Sequence, residues 1–358
     1  MNRTIAARRL VNQAIHGTAR RTAADAVTWL GAVQSQEYGP ATWALALRTR
    51  SVALDSDVDR AFETGRILRT HVMRPTWHFV TPADIRWMLD LTAPRVHSRM
   101  APYNRRLELD AATLTRAVAV CERALGGGRC LTRLELGEQL AAAGIRAAGQ
   151  RLAHIALHAE LERVICSGPR RGRQFTYALL ATRAPHARRL SRDEALGELS
   201  RRFFRSHGPA TVRDFVWWSG LTTADARRGL DIVNARSETE NGFTYWTVHE
   251  PREAGARTAM VHLLPVYDEY LVAYRDRDAV PHWPPGARTL NGRARGFQHA
   301  LVVNGHVAGL WRTVRTTRGA TVEVVAARPL GRAEREALHQ AAARYGACIG
   351  APVSIAIR

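Results

Sequence analysis

The chain contains no lysine: all 52 of its basic residues are arginine, set against 32 acidic ones, for a formal charge of +20 and a pI near 11.2. Without a side-chain amine there is no lysine Schiff base and no P-loop lysine to hold a nucleotide phosphate. The four cysteines, Cys121, Cys130, Cys166 and Cys348, are too few and too scattered for a disulfide scaffold or a thiolate zinc site, and they suit a reducing compartment. No apolar run approaches the roughly 18 residues that would span a bilayer. The opening segment MNRTIAARRLVNQAIHG lacks the continuous apolar stretch of a secretion signal. Glycine-rich nucleotide fingerprints and a G-x-S-x-G elbow are missing too.

What is present describes a folded, strongly basic protein. At 358 residues and 46% hydrophobic content, the chain has material for two or three domains with buried cores. An excess of positive charge on such a chain points to polyanions, and nucleic acid is the commonest inside cells.

The spacing predicts helices over 4–16, 22–33 (with Thr22 and Asp25 in the first turn) and 55–65, followed by two β-like runs, ILRTHVM and TWHFV, around Arg74-Pro75. Helices followed by a two-stranded ribbon are the order of a winged helix. The order recurs. Thr132 and Glu135 have capping-box spacing before a helix ended by Gly144, residues 150–168 read as the next helix, and 168–180 as a basic hairpin. A third pass runs from SRDEALGELSRRFFRSHG to the strand-like FTYWTV. Beyond residue 250 the texture is β-rich, with Asn304-Gly305 marking a tight hairpin and 281–292 a Pro/Gly-rich loop. The expected architecture is α+β: winged-helix units over 1–115, 116–185 and 186–250, then a β-rich part over 251–358.

Several residues are chemical candidates. Arg170, Arg171 and Arg173 sit on the expected hairpin tip of the second unit, where guanidiniums reach phosphates or a minor groove. Gln34 and Gln36 lie at the end of a predicted helix, before Tyr38-Gly39-Pro40, which should break it. On extended backbone both amides would face one side, where they hold a water or a base edge between them or simply meet solvent. Trp77 is placed to stack on a base or to fill the core, and His78 to touch phosphate or water. Asp268 and Glu269 are adjacent carboxylates; on a strand they would face opposite ways and pair with arginines such as Arg275 and Arg277, with Asp268 the reserve candidate for catalysis. His154, His158 and Glu162 recur at helical spacing, but H-E-x-x-H is missing and their helix is the expected DNA-facing one of the second unit, so no metal and no cofactor are expected. Trp217-Trp218 reads as helix core.

The segments VQSQEYGPATWALALR, RPTWHFV, LTRLEL with its downstream helix and wing, and LLPVYDEYLVAYRDR together resemble the winged-helix proteins of the AlkZ and YcaQ type, which include bacterial alkylpurine DNA glycosylases. Gln34-Ser35-Gln36 matches that family's glutamine–x–glutamine motif, although the family pattern favours an aliphatic residue where Ser35 stands. The resemblance implies tandem winged helices in a C-shape, a monomer in the bacterial cytoplasm at the nucleoid, and damaged double-stranded DNA as partner, with no membrane and no obligate protein partner. It implies catalysis by Gln34 and Gln36 on N7-alkylated purines, including bulky adducts or crosslinks; the residues themselves offer Trp77, His78 and Asp268 as possible support for such a site. The alternative is a non-catalytic winged-helix DNA binder or transcription regulator, since the fold alone supports both.

Overall fold

The computed structural model describes residues 3–50, 55–249, 259–275, 298–317 and 319–358. The loop expected over 281–292 and Arg277 lie outside the described residues.

Helix α1 (Arg3–Asn12) precedes a first unit made of α2 (Ala23–Leu30), β1 (Val33–Gln34), α3 (Tyr38–Ala46), α4 (Asp55–Glu63), β2 (Leu68–His71) and β3 (Trp77–Val80). Reciprocal hydrogen bonds between Thr22 and Asp25 satisfy two backbone donors and start α2. Tyr38-Gly39-Pro40 starts a helix instead of breaking one. Pro40 lies in the first turn of α3, where no intrahelical N–H is needed and its fixed φ suits the helix. The three strands form an antiparallel sheet in the order β1-β3-β2.

The 22-residue α5 (Ile85–Arg106) leads to a second unit: α6 (Ala111–Ala124), β4 (Leu131–Thr132), α7 (Arg133–Ala142), α8 (Gly149–Leu161), β5 (Ile165–Ser167), β6 (Thr176–Leu179) and the short α9 (Leu180–Arg183). Its connectivity is the same, with sheet order β4-β6-β5 and the last strand central. Thr132 and Glu135 form the capping box that their spacing suggests. The helix expected over 150–168 stops at Leu161, because Arg163 adopts a positive φ and Ile165–Ser167 is already strand. A third unit repeats the order with α10 (Arg192–Ser206), α11 (Val212–Ser219), α12 (Thr223–Ile232) and the hairpin β7 (Arg236–Glu240)–β8 (Phe243–Thr247); an Ala210–Trp246 bridge takes the place of the short first strand.

The C-terminal part comprises β9 (Val261–Leu264), α13 (Glu269–Val272), β10 (Ala300–Val303), β11 (His306–Thr316), β12 (Gly319–Ala326), α14 (Arg332–Ile349) and β13 (Val353–Ile357). Its sheet runs β13-β12-β11-β10-β9, parallel only between β12 and β13. Asn304 (φ 50°) and Gly305 (φ 84°) make the left-handed turn joining β10 to β11. A Cβ at Gly305 would stand 2.8 Å from that of Ala6, so turn and close approach both require glycine.

Apolar clusters fill each unit and also join them. One unites Trp87 of α5 with Phe203, Phe215 and Trp218 of the third unit and Tyr274; another joins Leu10 and Trp43 to Leu263, Trp311 and Leu338 of the C-terminal part. Trp43 Nε1 donates to the carbonyl of Leu263 (2.7 Å), and the Arg344 guanidinium caps the end of α3 at the carbonyls of Leu47 and Thr49. This docking brings residue 269 against residue 34, across more than two hundred residues of sequence.

Candidate active site

Strand β1 carries the first glutamine of the motif. Gln34 pairs with His78 across the β1–β3 ladder, and the Ser35 N–H donates to the carbonyl of Trp77 (2.7 Å). Gln34 is 8% exposed, whereas Gln36, at the strand's open end, is exposed to solvent. The Gln34 Oε1 accepts from Arg74 Nη2 (3.1 Å), and the Gln36 Oε1 from the Trp77 N–H (3.3 Å). Both donors lack any acceptor capacity, so the amide atoms facing them are the carbonyls and each NH2 points elsewhere. One loop, Arg74 to Trp77, therefore orients both amides. Among the described residues neither NH2 has a hydrogen-bond acceptor. Between them the Ser35 side chain is fully buried, and its hydroxyl has no partner among the described residues.

Beneath the motif lies a carboxylate. Glu269 is completely buried; its Oε1 accepts the Gln34 N–H (2.7 Å) and its Oε2 accepts Trp218 Nε1 (2.9 Å), with His207 Nε2 at 3.5 Å. Burial opposes its ionisation, but the His207 imidazole, the Arg74 guanidinium and the Gln34 N–H outweigh that and hold the carboxyl down to about 2. The strand bearing Gln34 is thus bolted by its backbone to an anion.

His78 is not where phosphate or bulk water can reach it. It is fully buried, its Nδ1 lies 2.8 Å from the Thr76 carbonyl, and its Nε2 lies 3.4 Å from Arg74 Nη2. Nδ1–H therefore donates to the carbonyl, and the bare Nε2 accepts from Arg74. Burial, then the Arg74 charge, pushes its pKa down to about 3, so the ring is neutral at pH 7 and no proton carrier.

Asp268 is corrected as well. Asp268 and Glu269 sit on no strand: Asp268 is the N-cap of α13 and accepts the Tyr270 N–H (2.9 Å), so both side chains turn inward. Its oxygens are clamped by the buried Arg48, both at 2.8 Å, and not by the arginines that follow it. Arg275 instead lies over the Trp217 ring, 5.5 Å from its centroid. Trp218 is core as expected, while Trp217 is 39% exposed and bonds the Val272 carbonyl.

Trp77 is half-buried and lines a cavity of about 490 Å³ between the first and second units, with Arg69, Leu134, Glu160, Phe175 and Tyr177. Arg69 stacks on the Trp77 ring at 3.9 Å, and its Nε donates to the Ser35 carbonyl (3.1 Å), so the cavity wall touches the back of the motif. Of the hairpin arginines, Arg170 is folded back onto Asp59 and the Tyr38 ring, and Arg171 onto Glu135 and the Cys130 carbonyl. Arg173 alone of the three is exposed without a protein partner among the described residues, at the mouth of the cavity.

The second unit's α8 is not free to face DNA. Residues 151–161 are all buried or half-buried, and the helix packs along α5. His154 bonds Asn104 (2.8 Å) and so leaves the helical trio, while His97 of α5 joins His158 and Glu162.

Sequence reasoning missed the parts played by Arg74 and Glu269. Arg74 stood beside Pro75 in a turn next to the motif's partner strand, and Glu269 stood beside Asp268 between the apolar stretches VHLLPV and YLVAY; neither pointed to Gln34 without the fold.

The comparisons agree along the whole chain. A solved structure, the DNA glycosylase AlkZ of Streptomyces sahachiroi, superposes with a TM-score of 0.83 over 100% of both chains at 23% identity, which shows the same α+β fold. An interstrand DNA cross-link repair glycosylase of Streptomyces sahachiroi is 27% identical over 364 residues, covering 95% of this chain and 96% of its own. The family described as "DNA glycosylase AlkZ-like" matches residues 27–348, which decides for an enzyme over a regulator: the chain belongs to the AlkZ-like DNA glycosylases.

Proposed function

We propose that the chain is a monofunctional DNA glycosylase that hydrolyses the N-glycosidic bond of N7-alkylated purines, bulky adducts and interstrand crosslinks included. Gln34 and Gln36 position the attacking water and stabilise the cationic sugar. The observation that carries this reading is the fixed amide pair: two carbonyls oriented by Arg74 and the Trp77 N–H, on a strand held by Glu269.

An amide has no useful pKa near neutrality and is a poor general base. N7 alkylation removes the need for one, because the base is already cationic and leaves without protonation. What remains is to aim a water at C1′ and to place dipoles against an oxocarbenium-like sugar, which preorganised amides can do. The titratable side chains that the sequence offered beside the motif are not available for proton transfer. His78 is buried and neutral, and Asp268 is locked to Arg48. With no lysine in the chain, strand cleavage through a lysine imine is closed, so the product is an intact abasic strand. We read the three repeated units as winged helices, Trp77 and the cavity behind it as an aromatic wall of the lesion site, and Arg173 as a phosphate contact.

The test is single-turnover release from a duplex bearing one N7-methylguanine, with abasic sites revealed by mild alkali. Wild type releases base above the spontaneous rate without cutting the strand, and Gln34→Ala/Gln36→Ala does not while still binding DNA. Equal release by the double variant would refute the assignment.

A further inference from the structure

The face of α8 that a DNA-reading helix would expose is held against α5 through a polar seam. At one end His154 meets Asn104; one turn on, His158 and Glu162 meet His97. His97 Nε2 lies 3.1 Å and His158 Nε2 4.0 Å from the same oxygen, Glu162 Oε1, and the two rings face edge-on with centroids 4.9 Å apart. All three ligand atoms lie within 4.8 Å of one another. We propose that His97, His158 and Glu162 form a site for one divalent transition-metal ion, zinc by its ligand chemistry, that staples α5 to α8.

Two imidazoles and a carboxylate are a known zinc donor set with an open fourth position, and they suit zinc over magnesium or calcium, which demand oxygen cages. Tetrahedral zinc with bonds of about 2.0–2.1 Å needs ligand atoms about 3.3 Å apart. The pair at 3.1 Å already meets that, the 4.0 Å pair must close by less than an ångström, and the two imidazole nitrogens, within 4.8 Å of each other, by at most about 1.5 Å. The side chains can move that far, being 29%, 18% and 39% exposed for His97, His158 and Glu162. That exposure also leaves an entry path. Glu162 already points the right oxygen inward. Arg163 lies by its Oε2 (3.8 Å) and is itself held by Asp90 (3.2 Å), leaving Oε1 to the imidazoles.

Sequence spacing put His154 in this trio; the ligand that completes it comes from another helix. The consequence is mechanical. A metal here ties the second unit to the long helix and keeps the α8 face covered, so the unit binds DNA through other surfaces while the ion is present.

The experiment uses untagged, chelator-stripped full-length protein titrated with zinc by calorimetry, with melting temperature and hydrogen exchange of α8 as second readouts. One zinc binds per chain, raises the melting temperature and slows exchange in α8. His97→Asn and His158→Asn each weaken binding by more than the roughly 10–100-fold typical of losing an outer-shell partner. Cys130→Ser, which removes the half-buried thiol, leaves binding unchanged. A cobalt(II) spectrum without a thiolate charge-transfer band agrees. Zinc binding that survives His97→Asn, disappears in Cys130→Ser, or does not occur in a wild type whose melting shows it folded would overturn the proposal.

Discussion

Replacing Glu269 by glutamine keeps the shape of the group beneath Gln34 and removes its charge. In the folded protein the carboxyl lies at about 2, against an ordinary 4.5. At 1.36 kcal/mol per pKa unit that displacement contributes about 3 kcal/mol of stability. The folded pKa is the lower one, so the contribution is complete above about pH 5 and drains away as pH falls from 4.5 toward 2. In Glu269→Gln the new NH2 faces either the Gln34 N–H or Trp218 Nε1, both donors, so one contact becomes donor against donor. Arg74 also loses the Glu269 charge, which favours its ionised form. Removing one member of such a buried set costs about 3–5 kcal/mol. Equilibrium urea unfolding at pH 7, 5, 4 and 3 should show the variant less stable by roughly that amount at pH 7, with the gap to wild type little changed at pH 5 and narrowing at pH 4 and again at pH 3. Other depressed carboxyls, Asp84 among them, destabilise both proteins in acid, so the difference is the quantity to follow. A gap below about 1 kcal/mol at pH 7, or one that does not change with pH, would refute the argument that Glu269 is a native-state anion.

Asp268→Asn should also destabilise by several kcal/mol, because it strands Arg48, a fully buried guanidinium, opposite an amide. Its single-turnover rate, corrected for the folded fraction, should stay near wild type, in contrast to the glutamine variants. Arg173→Gln should lower the slope of log affinity against log salt for duplex DNA by about 0.9, one phosphate contact. Arg171→Gln should change it less, since Glu135 already holds that guanidinium; an equal loss in both would show that the wing unlatches on binding.

What was legible in the sequence was local. Thr22 with Asp25 and Thr132 with Glu135 announced helix starts because a capping box is a contact across three residues, and Asn304-Gly305 announced a turn because two consecutive left-handed residues admit few side chains. Gln34 and Gln36 were legible as a motif, but the extended strand ends at Gln34, so the alternation of side chains along a strand does not reach Gln36. Errors arose where tertiary packing decides. Pro40 looked like a breaker because its position within a helix cannot be read without knowing where the helix begins. Asp268 and Glu269 looked like opposed strand neighbours because nothing nearby in sequence says that α13 starts between them.

The same distinction explains why the site's chemistry was harder to read than its residues. A glutamine does not reveal whether its amide is free or aimed; that depends on Arg74 and the Trp77 N–H, some forty residues away. The anion that pins the strand lies still further along the chain, in a part that has no role until it docks on α3. Preorganisation is therefore the property that the fold adds to the motif. Its energetic source is the buried charge pair Glu269 and Arg74, which is costly unless every partner is in place. A chain that retained Gln34 and Gln36 but lost Arg74 or Glu269 would keep the motif in sequence and lose the contacts that hold the Gln34 amide and its strand in place.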